Sequence, residues 1–448
     1  MTSNASEDDR LRGSLKGFVV GEALAMPVHW FYTPSILKKE YGSVDKMMAP
    51  KKTHEESFMT SMVYKGNIDI LFDKSGFYEG YDEDSIKTMS QEEREALSAD
   101  IGIFVNSEAD QRPHYHLSLK KGQNTANMCV ARLLMRYLAR TNEQGADRYD
   151  PREFLEEFRT YMTTDPRKHP DDVGQIKAHN DAYLDVYVRE FFNNASKGLP
   201  LTVCAYDQRD RWSIGSLDGL VMTVPLIAAY REEPEAILVG RAIEHQMLTH
   251  RSVTISAVVA VLVPLLQQLW RGEDAEKALD AAMEKLRPPL ITGPEMLETY
   301  KSHNGPDNIP AWEKWDQHMT FEPGVTLREV VHKFIDEGHS FEDVAGFHEG
   351  EGRFSTTCYC EHAMAIVLYF AVKFGEDFAG ALQANAKIGG HSTARGAILG
   401  AIIGARVGNK GVPETWYSEL AAPDQVNSEI DALIAASNAR RSAIKPRA

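Results

Sequence analysis

Apolar residues recur along this chain at helical spacing. In "TANMCVARLLMRYLAR", Thr125–Arg140, residues Met128, Ala131, Leu134 and Leu138 fall on one stripe. "CEHAMAIVLYFAVKF", Cys360–Phe374, is apolar almost throughout and ends before Gly375, a natural helix stop. The same periodicity predicts helices over 151–162, 181–193, 216–230, 235–249, 274–285 and 326–337. The run "AVVAVLVPLL", Ala257–Leu266, is too short to span a bilayer and reads as a core helix kinked at Pro264. Alternating patterns with hairpin turns are scarce, so the expectation is an all-α fold.

One stretch departs from ordinary amphipathic patterning. "KIGGHSTARGAILGAIIGARVG" places glycine at 396, 400, 404 and 408. Residues four apart share a helix face, so these glycines form a stripe without side chains. Glycine within a helix costs roughly 0.5–1 kcal/mol against alanine. Close approach of another helix backbone would offset that cost, which predicts a buried helix. Ser392 or Thr393 is its expected N-cap, and a helix N-terminus suits an anionic or electron-rich ligand.

Composition narrows the picture. The 448 residues carry a net charge of −16, which argues against nucleic-acid and anionic-membrane partners. Four cysteines without a CxxC pair are no disulfide framework and point to a reducing compartment. The polar, acidic N-terminus is unlike a signal peptide, so a cytoplasmic location is expected. Without a compositional break from Gly17 to Ala435, one domain over 1–448 is expected, with flexible ends at 1–12 and 438–448 and an acidic surface excursion at 82–110.

Three blocks together resemble the ADP-ribosylglycohydrolase family. "GFVVGEALAMPVHWFY", Gly17–Tyr32, is similar to the family's opening GDALGxPxE motif. "KGQNTANMCVARLL", Lys121–Leu134, lies where the family carries a TDDT helix start. The glycine block matches its GGDTDTxGAIxGAxxGAxxG. "IEHQMLTHRSVTISAVVAVLV", Ile243–Val263, further resembles a TH-containing helix pair. The resemblance implies a single large orthogonal helical bundle, and typical members hold two magnesium ions through carboxylates and threonines of these motifs.

This chain departs at nearly every matched ligand position. His29 stands for the first glutamate. Thr125, Ala126, Asn127 and Met128 stand for TDDT, and His391, Ser392, Thr393 and Ala394 for DTDT. No carboxylate remains at those positions, so the two-magnesium centre is expected to be lost, and another metal stays open. "GQNTAN" and "GGHSTARG" look closest to a branch of the family whose motifs read GENTLN and GGDNCHRG, and that branch's HYH and FSTxCY patterns recur at His114–His116 and Phe354–Tyr359.

The resemblance implies one pocket. Its candidate catalytic residues are His29, His391, Asn127 and Cys358; histidines can exchange protons near neutral pH, and a thiol at a helix start can be activated. Candidate substrate contacts are Trp30, Tyr32, Asn124, Thr125, His116, Tyr359, Ser392, Thr393 and Arg395. "HNDAY", His179–Tyr183, could line the same mouth. The implied function is a hydrolase or lyase cleaving an N-glycosidic or similar bond of a small polar, nucleotide-like molecule. The alternatives are a ligand-binding pseudoenzyme and, behind it, a structural protein of the same fold. The sequence leaves the oligomeric state open.

Overall fold

The computed structural model describes residues 5–56, 90, 92–93, 114–117, 119–163, 179, 181, 183–205, 215–286, 324–345 and 354–444. Nearly all of the expected acidic excursion lies outside these residues. Among them the regular elements are helices, and β-structure is limited to two isolated bridges, Ser216 to Tyr359 and Ala345 to Phe354. The fold is all-α.

The structural axis is an antiparallel pair, the N-terminal helix Glu7–Ala25 and the glycine helix Ser392–Val407, which make the most extensive helix contact among the described residues. The glycine stripe has a counterpart that the sequence reading left unremarked: Gly13, Gly17 and Gly21 face Gly404, Gly400 and Gly396. A methyl group at Gly400 would fall 2.0 Å from the Gly17 carbonyl oxygen, and one at Gly21 2.1 Å from that of Gly396. The two backbones therefore touch along three successive turns, where only hydrogen fits. Apolar faces of Ala126–Thr141, Val253–Arg271, Cys360–Phe374 and Phe378–Lys387 complete the core around this pair.

Most expected helices form where the periodicity placed them, for example Ala126–Thr141, Pro151–Thr163, Ala275–Lys285, Leu327–Asp336 and Cys360–Phe374. Three differences matter. The expected helix over 216–230 is split into Asp218–Val221 and Val224–Ala229, with Pro225 at the start of the second. The helix expected from Asp181 begins only at Val186, because Asp181 and Asp185 are used elsewhere. Of the ends expected to be loose, the described parts are helical through Glu7–Arg12 and to Ile444, while 1–4 and 445–448 lie outside the described residues. Charge explains this: Arg231 and Arg441 reach Glu7 at 3.1 and 2.7 Å, and Asn438 reaches Asp8 at 2.7 Å. Val253–Arg271 is long and apolar enough to cross a membrane, yet most of it is buried inside the protein. It runs through Pro264 and is capped by Ser252.

Candidate functional site

The starts of several helices converge at one end of the glycine pair. Thr125, Asp185, Tyr359 and His391 each occupy an N-cap position, and Asp218 opens its own short helix. Helix N-termini carry partial positive charge and free N–H groups, and four carboxylates collect there. Glu22 accepts from the Thr125 amide at 3.0 Å and from Asn124 Nδ2 at 2.6 Å. Asp181 accepts from the Ala126 amide at 2.9 Å. Asp185 and Asp218 share the Asn127 side-chain amide, whose Nδ2 lies 2.5 and 2.8 Å from them. Tyr187 donates to Asn127 Oδ1 at 2.6 Å, which fixes the amide's orientation. Ser216 also donates to Asp218.

Three stacked or edge-packed imidazoles join Asp181 to Asp218. His116 Nδ1 lies 2.9 Å from Asp181, His116 Nε2 2.7 Å from His29 Nδ1, and His29 Nε2 3.1 Å from His391 Nδ1. His391 Nε2 is 2.8 Å from Asp218 Oδ2, within ion-pair range. The Trp30 indole stacks on His29 with ring centres 4.1 Å apart and donates to His391 Nδ1 at 3.0 Å. All three histidines are essentially inaccessible.

The backbone is bent to achieve this. Trp30 sits at φ +66°, a left-handed conformation that costs a residue with a side chain about 1–2 kcal/mol. Its amide donates to the Gly390 carbonyl at 2.7 Å, and the Gly390 amide returns to Phe31 at 2.5 Å. Gly389 and Gly390 also have positive φ, and methyl groups there would strike the Phe31 and Thr356 carbonyls at 2.0 and 2.1 Å. The glycine pair before His391 is therefore the seat of the Trp30 turn.

These surroundings set the charges. Burial, reinforced by His391 and His116, drives His29 well below its ordinary pKa. Burial alone would lower His116 too, but the Asp181 carboxylate outweighs it and the pKa rises. Burial and the neighbouring Asp218 push Asp185 up to about 7. Burial acts on Asp218 in the same sense, yet His391 and the hydroxyl of Ser216 bring it below the usual carboxylate range. Two carboxylates on one amide are thus pushed apart.

Several sequence expectations need correction. Arg395, expected to hold an anionic ligand, is fully buried and donates to Asn385 Oδ1 at 3.1 Å, to the Thr356 carbonyl at 2.8 Å and to the Gly389 carbonyl. It pins the Trp30 turn from behind. Cys358 was expected as a nucleophile, but burial and the nearby Asp218 and Asp185 push its thiol up, the opposite of activation. His391 itself, not Ser392 or Thr393, occupies the N-cap position, with no side-chain capping bond. Ser392 donates to the Ala25 carbonyl at 3.2 Å, and Thr393 lies 3.4 Å from His29 Nε2.

Tyr32 and Tyr359 are buried, the former with its amide on Glu56 and the latter in the bridge to Ser216. His29, His116, His391, Trp30 and Asn127 do meet, with Asn124 and Thr125 beside them on Glu22. Of the four acids only Asp181 was touched, within the "HNDAY" segment expected at the mouth; Glu22, Asp185 and Asp218 were missed. Glu22 was legible as a lone acid inside the apolar run Val19–Ala25; Asp181 lies in the "HNDAY" segment, with Asp185 just beyond it; Asp218 carried no periodic signal.

The donor set does not fit two magnesium ions. Mg²⁺ demands six oxygen donors in near-octahedral array. Here an N–H2 group lies between the two carboxylates best placed to share a cation, and the His29 and His391 nitrogens face one another. Among the described residues no group of three or more His, Cys, Asp or Glu is arranged to hold a metal. Binding to the native state alone would raise stability by RT ln(1 + [L]/Kd), so millimolar Mg²⁺ is expected to leave the melting temperature unchanged. Asn127→Asp, which replaces the N–H2 by oxygen, is expected to gain an upward shift with Mg²⁺ that EDTA reverses. A clear shift in the unaltered protein would show that these side chains rearrange around a metal.

No curated protein matches the sequence significantly. A solved structure described as an "ADP-ribosylglycohydrolase-related protein complex" shares the fold, with a TM-score of 0.50 and 17% identity over 96% of this chain and 99% of that one. The profile of the ADP-ribosylglycohydrolase family matches residues 3–443, across the opening motif, the Asn127 helix start and the glycine helix alike. By that match over nearly its whole length, the chain belongs to the ADP-ribosylglycohydrolase family.

Proposed function

We propose that this protein cleaves an N-glycosidic or similar bond of a small polar, nucleotide-like molecule with two carboxylates in place of the family's metal centre. The observation that carries this is the pair Asp185 and Asp218, held by one amide and driven to different proton affinities. Such a split assigns acid and base roles. Asp185, the only one of the four carboxylates that is partly exposed, holds a proton near neutrality and gives it to the leaving group as the bond to the sugar carbon breaks. Asp218 stays ionised, stabilises the positive charge developing at that carbon and takes the proton of the attacking water.

The test is turnover of ADP-ribosyl and nucleoside compounds in EDTA across pH. Asp185 must be protonated to act as the acid, so kcat is expected to hold below pH 7 and to fall about tenfold per unit above it. Asp185→Asn should remove that alkaline limb together with most of the rate. Ligand binding without turnover for any of these compounds would overturn the reading and leave a binding pseudoenzyme.

A further inference from the structure

An indole N–H can only donate a hydrogen bond, whereas each imidazole nitrogen can either donate or accept. That asymmetry determines the proton positions along Asp181–His116–His29–His391–Asp218. Trp30 Nε1 points at His391 Nδ1 from 3.0 Å, so that nitrogen must present its lone pair. The proton of a neutral His391 is then on Nε2, 2.8 Å from Asp218. His29 Nε2 faces the same lone pair at 3.1 Å; two lone pairs would repel, so His29 Nε2 carries hydrogen, with Thr393 Oγ1 as a second acceptor at 3.4 Å. His29 Nδ1 is consequently bare, and His116 Nε2, 2.7 Å away, donates to it. His116 Nδ1 meets Asp181, which already accepts from the Ala126 and Tyr183 amides at 2.9 and 3.3 Å. With Nδ1 facing that carboxylate, which raises the His116 pKa, and Nε2 donating to His29, His116 carries both of its protons.

We infer that Trp30 is the tautomer lock of this site: its indole N–H holds the His391 proton on Nε2, against Asp218, and competes with any proton arriving from His29. A proton can pass from His116 to His29 by one hop along their short hydrogen bond. To go on to His391 Nδ1 it must displace the indole, which shares that lone pair with His29 Nε2. Asp218 thus keeps the His391 Nε2–H 2.8 Å away, and the charge on His116 is held toward the far end of the chain. Trp30 is a positioning residue, acting through His391. The left-handed turn at Trp30, seated on Gly389 and Gly390, is what aims the indole.

The inference concerns the carboxylate used in the proposed reaction and so rests on that reading for its role, but its test does not need turnover. Nitrogen-15 spectra of histidine-labelled protein at pH 7, or neutron diffraction from crystals of the unaltered chain, report the hydrogens directly. The expected result is His391 protonated on Nε2 alone and His116 protonated on both nitrogens. Trp30→Phe keeps a ring against His29 and removes the donor; in it, His391 Nδ1 is expected to gain proton occupancy, with kcat falling more than KM changes. A His391 proton on Nδ1 in the unaltered protein, or an unchanged spectrum in Trp30→Phe, overturns the lock. If Trp30→Phe does not fold, the hydrogen positions in the unaltered protein still decide. The expected proton pattern in a protein that turns over none of the tested compounds would count against the proposed function and leave the lock standing.

Discussion

Gly400→Leu is expected to destabilise the protein by about 3 kcal/mol or more, the upper range of overpacking in a close-packed core. The first atom of any side chain at this position would lie 2.0 Å from the Gly17 carbonyl oxygen and 2.6 Å from its carbonyl carbon. These are backbone atoms, so no rotamer change can relieve the clash, and the helices must separate along their whole contact. Gly400→Ala should already cost a measurable part of this, unlike the small gain expected for glycine to alanine in a free helix. Thermal or urea denaturation measures both, and a Gly400→Leu protein melting with the parent would show that the two helices do not touch.

Asp218→Asn is expected to lower kcat roughly 10³-fold, within the range that acid–base groups contribute, with a melting temperature only a few degrees lower. Asp218 accepts on two oxygens, from Asn127 on one and from Ser216 on the other, where His391 Nε2 also approaches. An asparagine has a single acceptor oxygen, so one side of it must face a donor with a donor. His391 cannot easily turn its proton away, because Trp30 holds its other nitrogen. Activity within tenfold of the parent would remove Asp218 from the reaction, and an unfolded variant would make its role structural.

What the sequence disclosed follows from how local each signal is. The helices were legible because burial on one face imprints a period on neighbouring residues. The glycine stripe announced that something packs against it, but spacing has no address, and the partner glycines at 13, 17 and 21 lie at the opposite end of the chain. His29 and His391 could be paired through motifs that occupy known places in the family. Asp185 and Asp218 could not, and Asp181 only through the polar segment around it. Asp181, Asp185 and Asp218 sit before or at helix starts, where no period operates, and only the convergence of those starts gives them a shared purpose. Arg395 misled for a related reason: a helix position fixes the face on which a side chain leaves, yet a long guanidinium stem can double back to the loop behind it.

The glycine pair also fixes a dimension. The N-terminal helix leads into the turn carrying His29 and Trp30, and the glycine helix begins immediately after His391. The gap between those histidines is therefore gauged by two main chains in direct contact, at atoms that no side-chain rotamer change can move. Most buried polar sites inherit their tolerances from side chains that can reshuffle after a mutation or a change of temperature. This one is machined against backbone, and drift in the surrounding core has little leverage on it.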